Sequence, residues 1–157
     1  MLGLEGKNLN NPFLFYALEV YFTMANEADI VELFNGGKPM RYTVADGVTI
    51  EKGTVLELED PRTAKKVSGA GCAIAGIAAA EKVADDGSTS LAVYQDGIFE
   101  LTCAAGGTAT LGSYVRSAGA DNTITVMTTL DHEKGQTIGK SLETGSNNEV
   151  ILVRVNL

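Results

Sequence analysis

The feature that most constrains this chain is its rhythm of short apolar alternations separated by glycine turns. "MRYTVA" places Met40, Tyr42 and Val44 on one side and Arg41 and Thr43 on the other. The closing "EVILVRVNL" sets Ile151, Val153, Val155 and Leu157 against Val150, Leu152, Arg154 and Asn156. A two-residue period marks a strand with one face in a core, and apolar residues on most of both faces make the last strand an interior one. Turns are expected at Asp46-Gly47 and Lys52-Gly53, with a strand ending at Pro61. "CAIAGIAAAEKV" reads as helix by its alanines and equally as a buried strand by its Ile74/Gly76/Ala78 alternation. "SLAVYQDGIFELT" reads as a hairpin turning at Gln95-Asp96-Gly97, because Asp-Gly supplies the positive φ angles of a tight turn. Nothing reads as a long amphipathic helix. The expected fold is mainly β: a small barrel or sandwich of short strands with an N-terminal extension and at most one or two short helices.

Two segments echo one another. "AIAGIAAAEKVADDGSTSLAVY" and "TIGKSLETGSNNEVILVRV" share the order of isoleucine before glycine, small residues, a polar turn and an apolar strand. Gly76 corresponds to Gly139, and the strand at Leu91 to the one at Ile151.

At 157 residues the chain is expected to be one domain, or one domain with an arm. The boundary is expected near residue 38, giving an arm over 1–38 and a β-rich domain over 39–157. Phe13, Phe15, Tyr16, Tyr21 and Phe22 are half of the ten aromatic residues and fall within ten positions. They read either as an arm that docks on a partner or as sequence ahead of a second start at Met24. The formal charge of −8 lacks the basic footprint that phosphate backbones and anionic membranes attract, so nucleic acid and membrane are disfavoured as partners. "NPFLFYALEVYFTM" is interrupted by Glu19 and is too short to span a bilayer. Its leading segment lacks the positive bias of a signal peptide, so a soluble, unsecreted protein is expected.

Candidate chemistry is sparse. "IGKSLETG" ends in the Gly-Lys-Ser of a phosphate-binding loop, but the required earlier glycine is misplaced by one position and a strand follows instead of a helix. Lys140 is therefore expected at the surface of a strand end. His132 is the sole histidine, and Asp131-His132-Glu133 reads as an exposed polar loop. Asp85-Asp86-Gly87 and Asp121-Asn122 lack the regular oxygen spacing of calcium loops. Cys72 and Cys103, in small apolar settings, read as free buried thiols. No catalytic, cofactor-binding or metal-binding residues are assigned, and no cofactor is expected. "ADGVTIEKGTVLELE" also resembles half of a lipoyl or biotinyl carrier domain, with Lys140 as the candidate modified lysine. A small hydrolase dependent on His132 is a further alternative.

From about Arg41 to Leu157 the landmarks run in the order of the phage head-decoration, or capsid cement, proteins. "VTIEKGTVLELED" resembles that family's early glycine turn, and "AIAGIAAAEKVADDGSTSLAVYQDGIFELT" its core. "GTATLGSYVRSAGADNTIT" and "TIGKSLETGSNNEVILVRVNL" resemble the two closing segments. The resemblance implies a structural virion protein, not an enzyme, that binds the outer surface of the expanded capsid. It implies the major capsid protein as partner and homotrimers over threefold and quasi-threefold positions. It also implies an N-terminal segment that reaches the shell, for which Phe13, Phe15, Tyr16 and Phe22 are the candidate capsid-binding residues. A tail or head-fibre accessory module is the alternative within the virion. The aromatic extension and the lysine of "IGKSL" depart from the family pattern.

Overall fold

The computed structural model of the chain describes residues 26–34, 37–119, 122–128 and 134–157. Every regular element among them is a strand. The stretch that read as helix or strand is a strand, β5 (Ile74–Ala78), buried along its whole length. Among the described residues no helix is long and apolar enough to cross a membrane.

Two closed barrels account for most of the strands. The first is built from β2 (Met40–Thr43), β3 (Val55–Asp60), β4 (Thr63–Lys66), β5 and β6 (Ser90–Tyr94), in the order β2-β4-β3-β5-β6. The second comprises β7 (Asp96–Cys103), β9 (Tyr114–Ser117), β10 (Thr123–Val126), β11 (Thr137–Ser141) and β13 (Val150–Asn156). Its order is β7-β10-β9-β11-β13, closed by pairing of β13 with β7. A short strand β1 (Asp29–Glu32), inside the stretch assigned to the arm, adds to β7. Two-residue strands β8 (Thr108–Ala109) and β12 (Gly145–Ser146) pair at one end of the second barrel.

The barrels are copies of one design. Thr43 of β2 lies parallel to Thr63 of β4, and Thr102 of β7 lies parallel to Thr123 of β10. Leu56 pairs with Gly76 and Glu57 with Ile74 across a register shift; Val115 pairs with Gly139 and Arg116 with Thr137 across the same shift. Tyr42 pairs with Leu91 as Leu101 pairs with Ile151. The turns match as well. The Gly53 amide donates to the Ala78 carbonyl at 2.9 Å, and the Gly112 amide to the Ser141 carbonyl at 2.9 Å. The echo between Gly76 and Gly139 is thus one point of a duplication that runs through all ten barrel strands.

Gly76 and Gly139 recur for a steric reason. A Cβ on Gly76 would collide with the Tyr94 carbonyl oxygen, and one on Gly139 with the Arg154 carbonyl oxygen. Each glycine lets β5 or β11 press against the last strand of its barrel, where any side chain would force the strands apart.

Period-two burial explains the cores. Tyr42, Val44, Leu56, Ala64, Leu91 and Val93 fill the first barrel. Phe99, Leu101, Val115, Ile124, Ile138 and Val153 belong to the second core, which also takes Val55, Val67, Ile74 and Ile77 from the outer face of the first barrel. β5, and Val55, Leu56 and Glu57 of β3, therefore bury both faces, and "IAGIA" is apolar throughout because a core lies on each side. Burying one such aliphatic side chain stabilises by about 1.5–3 kcal/mol. β13 alternates as expected, with Ile151, Val153 and Val155 buried, while Leu157 at the chain end is exposed. Met40 shares the side of Tyr42 yet is 46% exposed, because it stands at an open strand edge.

The expected hairpin at Gln95-Asp96-Gly97 does not form. β6 pairs with β2 and β5, and β7 with β1, β10 and β13, so the two runs belong to different barrels. Gln95 is the crossing point, its Nε2 donating to the Tyr42 hydroxyl at 2.8 Å and to the Ala75 carbonyl at 3.3 Å. Gly97 takes φ +150 inside β7, where the Glu32 carbonyl and the Phe99 ring leave no room for a Cβ. The dipeptide serves close packing rather than a turn.

Candidate docking surface

Residues 26–28 enter the molecule at the seam between the barrels. Asn122, buried at φ +60, accepts from the Val55 amide at 2.6 Å and donates through Nδ2 to the carbonyls of Asn26, at 2.7 Å, and Gly53, at 3.2 Å. The Ala28 amide donates to the Gly53 carbonyl at 2.9 Å, and Ala28 is buried. An asparagine tolerates the left-handed backbone better than most residues, and here its amide ties both barrels to the incoming chain. The root of the N-terminal segment is fixed before β1 begins. Phe13, Phe15, Tyr16 and Phe22 lie outside the described residues.

Two surface hollows flank this root and the sheet beyond it. One, of about 220 Å³, is lined by Asn26, Glu27, Asp29, Glu100, Thr102 and Val150. Burial, with a hydrogen bond that the protonated Glu27 carboxyl donates to Glu51, raises Glu27 above its usual range. The other, of about 270 Å³, is lined by Tyr114, Thr137, Gly139, Lys140, Arg154 and Asn156. Lys140 stands directly across from Arg154 on neighbouring strands, and the Phe34 ring lies 5.4 Å from the Arg154 guanidinium. Lys140 is exposed in the middle of β11 rather than at a hairpin tip, a position unlike that of a carrier-domain lysine, and Gly139-Lys140-Ser141 is strand rather than phosphate loop.

The most enclosed charged side chain among the described residues was missed by sequence reasoning. Lys82 is 2% exposed, and its ammonium donates to the Asp46 and Val83 carbonyls and to the carboxylates of Asp46 and Asp86. The Asp86 contact is 2.6 Å. In "AAEKVADDG" the lysine looks like part of a solvated charged run; only the return of Asp46 from 36 residues away encloses it. Burial works against the charged lysine, but Asp86 and Asp46 outweigh it and hold its pKa above the usual value. Lys82 in turn lowers that of Asp86. The arrangement ties the Asp46 turn to the loop after β5. Lys82→Met leaves two carboxylates facing an apolar stem and is expected to lower Tm by on the order of 10 °C. The Asp86 contribution is present above the ordinary aspartate value of 3.8 and fades as pH falls through its lowered value. The lysine's is present below 10.5 and fades as pH rises through its raised value. Melts of both proteins across pH check this: the Tm difference is expected to shrink as pH falls below 3.8 and Asp86 is protonated, and a difference undiminished in strong acid contradicts it.

The cysteines are both free. Burial, reinforced by Glu57, pushes the partly buried Cys72 thiol up to about 12, and burial raises Cys103 as well. Glu57 itself is lowered: burial raises it, but the Ser68 amide leads the contacts that more than offset this. A thiol so raised has about a thousandth of the thiolate of an ordinary cysteine at a given pH. Iodoacetamide labelling of the folded protein at pH 8, followed by mass, is expected to leave Cys72 unmodified while a free-cysteine peptide reacts. Labelling at the peptide's rate would contradict the assignment. Asp131, His132 and Glu133, and with them the hydrolase alternative, lie outside the described residues, as does Asp121.

No curated protein matches the sequence. The phage cement protein family model matches residues 34–157, which takes in both barrels. The chain belongs to the phage cement protein family. Membership gives this cement protein a capsid-stabilising, structural role in the virion and speaks against an enzymatic one. The matched part begins after the root at Asn26 and after β1, so the aromatic segment lies outside it.

Proposed function

We propose that this cement protein binds the outer surface of the expanded phage capsid as trimers at threefold and quasi-threefold positions, with the major capsid protein as its partner. The observation that carries this reading is the family match across both barrels. A protein that binds only the expanded shell stabilises that form by mass action. Three linked copies let individually weak contacts act together. After synthesis in the host cytoplasm, the N-terminal arm makes the shell contact, with Phe13, Phe15, Tyr16 and Phe22 as anchors, since buried aromatic side chains dominate interface energy. An arm of this kind can add a strand to a sheet edge on the capsid. The fixed root at Asn26 supports the arm's role, because it sets where the arm leaves the barrels.

The test is co-sedimentation of the purified protein with heads lacking it. Saturable binding to expanded heads, with little or none to unexpanded ones, is expected. Equal binding to both forms, or to neither, would contradict the proposal.

A further inference from the structure

The duplication exposes a difference between the two barrels. In the second, β1 fills the edge of β7 that β10 leaves free, with Asp29 opposite Glu100 and Ile30 opposite Phe99. The counterparts of Glu100 and Phe99 in the first barrel are Arg41 and Met40, by the shared register of Thr43 with Thr102. There, β4 meets β2 only at Thr43, and among the described residues no strand continues along Met40 and Arg41. The Thr43 amide donates to the Arg62 carbonyl on this side. By the alternation of a strand, the amide and carbonyl of Arg41 point the same way, into the open edge.

The residue at the mouth of each slot is also equivalent. Arg62 and Asn122 hold the same turn position and both have positive φ, +55 and +60. Asn122 grips the Asn26 carbonyl at the entry to β1. Arg62 sends its guanidinium into the vacant slot, donating to the Arg41 carbonyl at 3.0 Å. Neither Arg41 nor Arg62 takes part in an ion pair among the described residues, in a chain of net charge −8.

We propose that this edge of β2 receives a strand from a neighbouring copy of the chain, residues 18–21 of its N-terminal arm. This rests on reading the arm as a docking segment. "LEVY" has the length of β1 and three strand-forming or apolar residues around Glu19, the one charged residue between positions 13 and 22. Running antiparallel to β2, as β1 runs to β7, it sets Glu19 opposite Arg41 and within reach of Arg62. The chain's own arm does not suit the slot. Asn26 is held through the Asn122 side chain beside Val55, at the opposite end of β3 from Arg62. The run from Val55 to Asp60 and from Thr43 back to Arg41 is about 23 Å of strand. A strand in the slot heads away from Asn26, so the seven residues from Glu19 would have to turn back, and they span about 24 Å only when straight. In a neighbouring copy no such limit applies.

Hydrogen exchange at the Arg41 amide, read with the mass of the native particle, tests this on the full chain. The expected result is an oligomer in which Arg41 exchanges at least about tenfold more slowly than in a chain lacking residues 1–23. Arg41→Glu with Arg62→Glu is expected to give folded monomers, judged by an unchanged melt, and adding Glu19→Arg to restore the oligomer. An oligomer that survives the double reversal overturns the proposal. So does protection in a monomer, which identifies the chain's own arm, or protection that appears only with heads, which identifies the capsid. Unprotected Arg41 in every state leaves the two arginines as guards against edge pairing and also overturns it. Protection without binding to expanded heads keeps this inference and removes the capsid reading; head binding without protection does the reverse.

Discussion

A chain lacking residues 1–23 is expected to lose binding to expanded heads while keeping both barrels folded. The contacts that fix the root begin at Asn26, which Asn122 holds, and at Ala28, which Gly53 holds. All of them remain after the deletion, as do β1 and its register on β7. The four lost aromatic anchors are the kind of residue whose removal costs about 2 kcal/mol or more each. Loss of even two weakens binding by roughly a thousandfold. Co-sedimentation of full-length and truncated protein, alongside thermal melts of each, separates docking from folding. Undiminished binding of the truncated chain would move the shell contact onto the barrels, with the hollow around Lys140 and Arg154 as the next place to mutate.

The second large effect is expected at the paired glycines. Gly139→Ala places a methyl against the Arg154 carbonyl and the backbone of Val155, and Gly76→Ala against the Tyr94 carbonyl at a φ of +141. In both cases the obstacle is backbone, which cannot swing aside as a side chain does. Each substitution is expected to destabilise by on the order of 3 kcal/mol, from overpacking with added strain at Gly76. Gly69→Ala is the control: nothing lies within 4 Å of the added methyl, so its effect should stay within about 0.5 kcal/mol. Urea unfolding of the three variants decides the matter. Comparable stabilities would mean that the strands yield readily and that the recurrence of glycine has another cause.

Much of this fold was legible because it rests on period and punctuation. The alternation of β2 and β13, the turns at Gly47 and Gly53 and the stop at Pro61 each follow from local chemistry. The duplication was visible only as an echo, because few of the equivalent positions keep their residue. Thr43 and Thr102, Thr63 and Thr123, Gly53 and Gly112, and Gly76 and Gly139 persist, whereas Tyr42 has become Leu101 and Lys82 corresponds to Gly145. What persists is what the backbone requires; core volume is redistributed freely so long as the sum fills the barrel. The Asp96-Gly97 hairpin misled because its turn signal is real but local, and pairing is decided by which barrel each strand completes. Lys82 was hidden for the opposite reason, since its partner Asp46 is distant in sequence. The candidate docking residues were legible as an aromatic cluster, but only the barrel register reveals a strand edge at Arg41 that matches the one β1 fills.

The most direct test of the central claim is image reconstruction of expanded heads with and without the full-length protein. The account predicts added density confined to the outer surface at threefold and quasi-threefold positions, each accommodating three double-barrel subunits. Density inside the shell, at other positions, or none at saturating protein would contradict it.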